Sequence, residues 1–178
     1  MNKLDMTVLG GGCFWCTEAI FKRVKGVKAV TSGYTGGNVM DPSYHQVCAG
    51  NTGHAEVVRI SFDPAIIAFE ELLTVFWHAH DPTSLNRQGN DIGSQYRSII
   101  LYADESQREQ AEASLKAMDA SGVYRQPIVT EIKPLEKFYP AEDYHRDYFA
   151  QNPNQPYCQA VIAPKVQHFL ESQPEKLA

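Results

Sequence analysis

The order of elements along this chain predicts an α+β fold, a two-layer α/β sandwich with a ferredoxin-like split βαβ core and a long coil-rich C-terminal segment. Three observations predict it. Apolar runs of strand length alternate with amphipathic stretches of helix length as βαββαβαβ, and the first six match a split βαβ arrangement with helices on one face of a sheet. Glycine and proline clusters fall between the elements. Beyond Pro134 the periodicity dissolves into prolines, tyrosines and asparagines.

Thr7-Val8-Leu9 reads as a short buried strand running into Gly10-Gly11-Gly12, where glycine permits a tight turn and close backbone approach. A helix follows from Phe14 to about Val24 and stops before Gly26. Val27 to Tyr34 reads as a strand closed by Gly36-Gly37, and residues 38–53 as polar, turn-rich chain. In the strand Val57 to Asp63, Val58, Ile60 and Phe62 share one face and Arg59 and Ser61 the other. Phe69, Leu72, Leu73, Phe76, Trp77 and His80 recur at helical spacing, a stripe that belongs to a core.

Pro82 to Gly93 reads as loop and Ser98 to Tyr102 as a strand. Asp104 with Gln107 makes a helix cap, and the helix from Glu105 ends near Gly122. Pro127 to Ile132 is predicted as another strand. Residues 157–164 read as a strand-to-helix packing segment, and a last short helix follows Pro164 through Val166, Phe169 and Leu170. With no repeat or linker in sight, residues 1–178 are expected to form one domain.

Composition narrows the function classes. Apolar content of 43% and charged content of 21% are those of an ordinary globule able to bury a sizeable core. A net charge of −5 without any Lys/Arg cluster argues against nucleic acid as partner. No apolar run approaches the ~20 residues of a membrane span, and Met1 to Asp5 leads into no signal-like stretch. Cys13, Cys16, Cys48 and Cys158 are too sparse for a disulfide scaffold, so a reducing cytoplasm with catalytic thiols is the expected setting.

The chemistry concentrates in Gly12-Cys13-Phe14-Trp15-Cys16. A thiol at a helix N-terminus meets the positive end of the backbone dipole, which favours its thiolate. Phe14 and Trp15 offer apolar surface. Cysteines at i and i+3 on a first helical turn stand about 5–6 Å apart at Cα, within disulfide range. A nucleophile with a resolving partner is one reading, and a zinc half-site or two buried thiols are others. The zinc reading lacks a second paired ligand unit, because His78 and His80 lie two apart and face opposite ways on a helix. Metal: none is therefore expected.

Glu56 opens a strand among small and apolar residues. Buried near aromatic rings it would keep its proton near neutral pH and serve as a general acid; at an exposed strand edge it would pair with a lysine. Tyr44 and Tyr96 sit at loop-to-element junctions and carry phenol donors, or are half-buried packing. Asp91 orients a polar group or a water, or caps a turn.

Together these stretches resemble the methionine sulfoxide reductase A family. The likeness runs through Gly11-Gly12-Cys13-Phe14-Trp15, Ser32-Gly33-Tyr34-Thr35-Gly36-Gly37, Pro42-Ser43-Tyr44, Gly53-His54-Ala55-Glu56, Asp63-Pro64, Phe76-Trp77, His80-Asp81-Pro82, residues 87–98, residues 139–145 and Asn152-Pro153. It spans nearly the whole chain.

The resemblance implies reduction of the S epimer of free and peptide-bound methionine sulfoxide, repairing oxidised proteins. Cys13 would be the nucleophile, Glu56 the acid, Tyr44 and Tyr96 donors to the sulfoxide oxygen, and Asp91 an ordering residue. Phe14 and Trp15 would hold the S-methyl group. Thioredoxin is the implied reductant, no cofactor is implied, and a monomer is expected. Many members have glycine where Cys16 stands and use cysteines in a glycine-rich tail; here the tail around Cys158 has no glycine and no later cysteine. Cys16 is thus the favoured resolving cysteine, with Cys158 the alternative. Cys48 reads as a packed small residue, with a relay role left open.

Overall fold

The computed structural model describes residues 3–177. Its strands are β1 (Asp5–Gly10), β2 (Val27–Thr35), β3 (Ala55–Phe62), the two-residue β4 (Arg87–Gln88) and β5 (Asp91–Ile92), β6 (Ile99–Tyr102), β7 (Glu131–Pro134) and β8 (Tyr139–Pro140). The helices are α1 (Phe14–Phe21), α2 (Tyr44–Cys48), α3 (Phe69–Ala79), α4 (Glu105–Ala120), α5 (Tyr148–Gln151) and α6 (Ala163–Ser172).

The main sheet has the order β7-β6-β1-β3-β2-β8. Its four inner members, β6-β1-β3-β2, are antiparallel neighbours, the order a split βαβ core requires. β7 adds parallel to β6 and β8 antiparallel to β2. Register places Leu9 opposite both Val58 and Ile100, and Tyr34 opposite Glu56.

The main core lies between the sheet and its helices, with Leu9, Val58 and Ile60 from the strands against Ile20 and Phe21 of α1 and the α3 stripe. Phe69, Leu72, Leu73, Phe76 and Trp77 are all buried. At about 1.5–3 kcal/mol for each large apolar side chain, this burial outweighs any intrinsic helix preference in docking α3. Trp77 Nε1 donates to Ser114 Oγ of α4 at 2.8 Å, and the Tyr124 hydroxyl donates to the Trp77 carbonyl, which fixes the two helices together. Asp104 caps α4 by accepting the Gln107 N–H at 2.8 Å.

Several boundaries differ from the sequence reading. The first helix ends at Phe21, and the N–H groups of Arg23 and Val24 bond three residues back, tightening the chain into a turn. Residues 38–53 contain α2, and the loop before residue 93 contains the β4–β5 hairpin. The strand expected over 127–132 is displaced to Glu131–Pro134. Its partner begins at Ile99, opposite Glu131, so nothing upstream offers a ladder; Val129 instead bonds the Pro82 carbonyl.

Residues 156–172 are helical throughout, with a π-helical stretch at Cys158–Ile162, so the tail segment is helix rather than strand-to-helix. The sheet is also covered on its second face. Val8, Ala55, Val57, Ile99 and Leu101 form a smaller cluster there under Met6, Leu135 and Phe138. No helix among the described residues is long and apolar enough to cross a membrane.

Candidate active site

The site begins where β1 ends. Gly12 has φ +87° and donates its N–H to the Tyr96 carbonyl at 3.2 Å, drawing the turn against the 94–96 segment. The turn is wedged between two side chains: a Cβ on Gly11 would lie 2.7 Å from His80 Cδ2, and one on Gly12 2.8 Å from Gln88 Cγ. Both wedges are anchored. Gln88 accepts the Asp81 N–H at 2.8 Å and donates back to the Asp81 carbonyl at 3.0 Å. Burial pulls His80 down to about 4, so its ring is neutral. Nδ1 therefore donates to the Phe76 carbonyl at 2.7 Å, and Nε2 accepts the Ser98 hydroxyl at 2.8 Å.

Gly12→Ala should consequently combine backbone strain with a collision against Gln88. The expected loss is about 1–3 kcal/mol of stability, measured as a lowered urea midpoint, together with reduced turnover. An unchanged midpoint and rate would show the turn to be slack.

Cys13 is the N-cap of α1, with extended φ −63° and ψ 130°, and its carbonyl accepts the Cys16 N–H at 3.1 Å. Its side chain is 5% exposed. Against the helix-start preference for a thiolate, burial pushes the Cys13 thiol well above its ordinary value, and the nearby Glu56 and Cys16 push it further. The Trp15 N–H and the Tyr157 hydroxyl pull the other way but do not prevail. In the resting molecule Cys13 is a thiol.

Glu56, at the start of β3, is 1% exposed. Oε1 accepts the Phe14 N–H at 3.1 Å, and Oε2 has no partner among the described residues. Burial pushes its carboxyl up to about 8, with the Phe14 hydrogen bond partly opposing and Asp91 adding a little. At neutral pH this acid holds its proton.

Tyr44 opens α2 and Tyr96 closes the 94–96 turn; both phenols are raised above their ordinary range by burial first and Glu56 second. Both also feel Cys13, which puts the two hydroxyl-bearing rings, the acid and the thiol in one electrostatic neighbourhood. Asp91 accepts the Tyr157 hydroxyl at 2.6 Å. Trp15 is half-buried, stacked on Tyr148 with ring centroids 3.8 Å apart, and donates Nε1–H to His145 Nδ1 at 2.9 Å. Phe14 differs from it. It is fully buried, with its ring 5.6 Å from Tyr34 and 5.0 Å from His145, and forms a floor rather than an open wall.

All four cysteines are free. Cys16 is buried, and burial lifts its thiol to about 11 despite Lys165 and the Tyr157 hydroxyl. Cys158 is also buried in the main core and is felt by Cys16. Cys48, expected as packed, is the exposed one, at the end of α2. Among the described residues, no three His, Cys, Asp or Glu side chains are grouped to hold a metal.

Sequence reasoning assigned no role to Tyr34, Glu142, His145, Tyr148 or Tyr157, though residues 139–145 lie in a motif it singled out. Tyr157 meets Asp91 and both thiols of α1. Glu18 was missed as well. It is 2% exposed and raised to about 7, chiefly by burial. Nothing in the local sequence marks these partners, because each comes from more than a hundred residues away or from an aperiodic segment.

Comparison with known proteins agrees with this geometry. Residues 5–177 match the family model of peptide methionine sulfoxide reductase. The chain is similar to the peptide methionine sulfoxide reductase MsrA of Sulfolobus acidocaldarius, with 54% identity over 97% of each chain. Among solved structures it is similar to methionine sulfoxide reductase A of Corynebacterium diphtheriae, at TM-score 0.80 and 36% identity over 85% of this chain and 76% of that one. It is also similar to reduced Mxr1 from Saccharomyces cerevisiae, at TM-score 0.80 and 32% identity over 88% and 90%. Mxr1 in complex with Trx2 matches at TM-score 0.55 and 22% identity over 82% of this chain and 85% of that one, a likeness of fold. The chain belongs to the peptide methionine sulfoxide reductase A family, oxidoreductases that reduce peptide-bound methionine (S)-S-oxide with thiols.

Proposed function

We propose that Cys13 is the nucleophile and Glu56 the proton donor of this thiol-dependent reductase. The observation that carries the assignment is the buried Glu56 carboxyl, raised to about 8 and tied to the Phe14 N–H one residue beyond Cys13. A sulfoxide sulfur is a poor electrophile until its oxygen is protonated, so a neutral acid beside a thiol is the pairing the reaction needs. Glu56 donates from Oε2, the hydroxyls of Tyr44 and Tyr96 polarise the S–O bond, and Asp91 orders Tyr157 beside the thiol. Trp15 contacts the S-methyl group, with Phe14 beneath it.

The atoms balance without a cofactor. Cys13–SH and the sulfoxide give the Cys13 sulfenic acid and the thioether; the thiol proton restores Glu56. The sulfenic acid then condenses with a second thiol, expelling water and leaving a disulfide for an external dithiol to open. Cys16 is the proposed resolving thiol, since it shares the first turn of α1 with Cys13, and Cys158 is the alternative. Thioredoxin is the proposed reductant, free methionine sulfoxide and oxidised proteins are the proposed substrates, and residues 1–178 act as one monomeric cytoplasmic domain.

One turnover without reductant, followed by alkylation and peptide mass spectrometry, tests the pairing. A Cys13–Cys16 cross-link is expected. A Cys13–Cys158 cross-link as the sole product would transfer the resolving role to Cys158, and persistence of the sulfenic acid would remove it from both.

A further inference from the structure

We infer that Glu142 is a positioning residue for the reduction, a strap that ties the short helix presenting Tyr44 to the strand that lies beside Glu56. Both of its oxygens are committed: Oε1 accepts the Tyr34 hydroxyl at 2.9 Å and Oε2 accepts the Tyr44 N–H at 2.8 Å. Tyr34 is fully buried on β2 and stands directly opposite Glu56 in the β2–β3 ladder. One carboxylate therefore spans the acid's cross-strand neighbour and the first residue of α2.

The helix needs such an anchor. At five residues α2 lies far below the length at which a helix holds itself together. Ser43 and Gln46 satisfy each other in a capping box, with the Gln46 N–H on Ser43 Oγ at 3.1 Å and the Ser43 N–H on Gln46 Oε1 at 2.9 Å. The Tyr44 N–H is left over, and Glu142 supplies its acceptor from 98 residues downstream. The carboxylate is well suited to this. Burial pushes it up, yet the Tyr44 N–H, its own N–H and the Tyr34 hydroxyl outweigh burial and hold it below the ordinary glutamate value. Charge-assisted bonds of this kind are short and directional. Removing them frees α2 to shift, and small displacements of a donor at a reacting centre are costly.

Resting on the role proposed above for Tyr44, the test is a double-mutant cycle read on the single-turnover rate of sulfenic acid formation. Glu142→Ala is expected to slow that step about 10-fold, and Glu142→Gln to retain most of it, because the amide oxygen can accept the Tyr44 N–H. In a Tyr44→Phe background the same Glu142→Ala change is expected to cost less than about 2-fold, since its effect passes through Tyr44.

An equal slowing in both backgrounds would overturn the strap while leaving Tyr44 in the reaction. An unchanged rate in Tyr44→Phe alone would instead remove Tyr44, and with it the reading on which the strap depends. If Glu142→Ala does not fold, Glu142→Met, similar in length but without an acceptor, replaces it in the cycle with the same outcomes.

Discussion

Cys13→Ser should fold like the parent and lose reduction of methionine sulfoxide by at least three orders of magnitude, on the scale seen when an enzyme's nucleophile is removed. Serine fits the position, since an N-cap prefers it and the only change in volume is that between sulfur and oxygen. Its oxygen cannot do the chemistry. A hydroxyl is a far weaker acid than a thiol, and it cannot be carried to a sulfenic acid and then a disulfide. Chromatographic separation of the S and R epimers of a methionine sulfoxide peptide, with dithiothreitol as reductant, provides the measurement. The parent is expected to consume the S epimer alone and the variant neither. Residual turnover by Cys13→Ser within tenfold of the parent would place the nucleophile elsewhere.

Glu56→Gln should reduce the sulfenic-acid-forming rate by about 10²–10³-fold at neutral pH, the usual range for loss of a general acid. The amide keeps an oxygen for the Phe14 N–H, so the geometry survives while the transferable proton is lost. In the parent, the rate should fall as pH rises through about 8, where Glu56 ionises. The variant should lack that falling limb. Identical single-turnover profiles for the two proteins would remove Glu56 from proton transfer.

For Glu56→Gln, stability should move in the opposite direction to the rate. Glu56 is raised from 4.5 to about 8 in the folded chain, so the folded state binds more protons than the unfolded state between those values. The parent thus keeps its full stability below about 4.5 and loses on the order of 4–5 kcal/mol as pH rises to about 8. Glu56→Gln is exempt from this loss, and its urea midpoint should overtake the parent's toward the alkaline end. The buried carboxyl of Glu56 is retained at a cost in alkaline stability.

Much of this molecule was legible in the sequence. The glycine run into Cys13, the period-2 alternation around Val58 and the helical stripe from Phe69 to His80 each carry their own local signal, and the split βαβ core follows from their order. Other features depend on partners that no local pattern announces. A helix start favours a thiolate at Cys13, but burial and the Glu56 carboxyl, brought in from β3, push the thiol up against the pull of the Tyr157 hydroxyl. β7 begins at Glu131 because β6 begins at Ile99, a register set across thirty residues of helix and turn. Tyr34 and Glu142 are unremarkable where they stand in the sequence; only β2 and the 139–145 segment lying side by side gives them a joint role.

The central place of β1 bears on how the chain reaches this state. β1 precedes both of its ladder partners, which are completed only at Phe62 and Leu101, and the Gly12 N–H finds its acceptor at Tyr96. Contacts of such sequence separation close late, after the entropy of long loops has been overcome. Cys13 is therefore enclosed only after segments far downstream of it have joined the fold. Its thiol stays open to oxidants and to other chains until β6 and the 94–96 turn have been made.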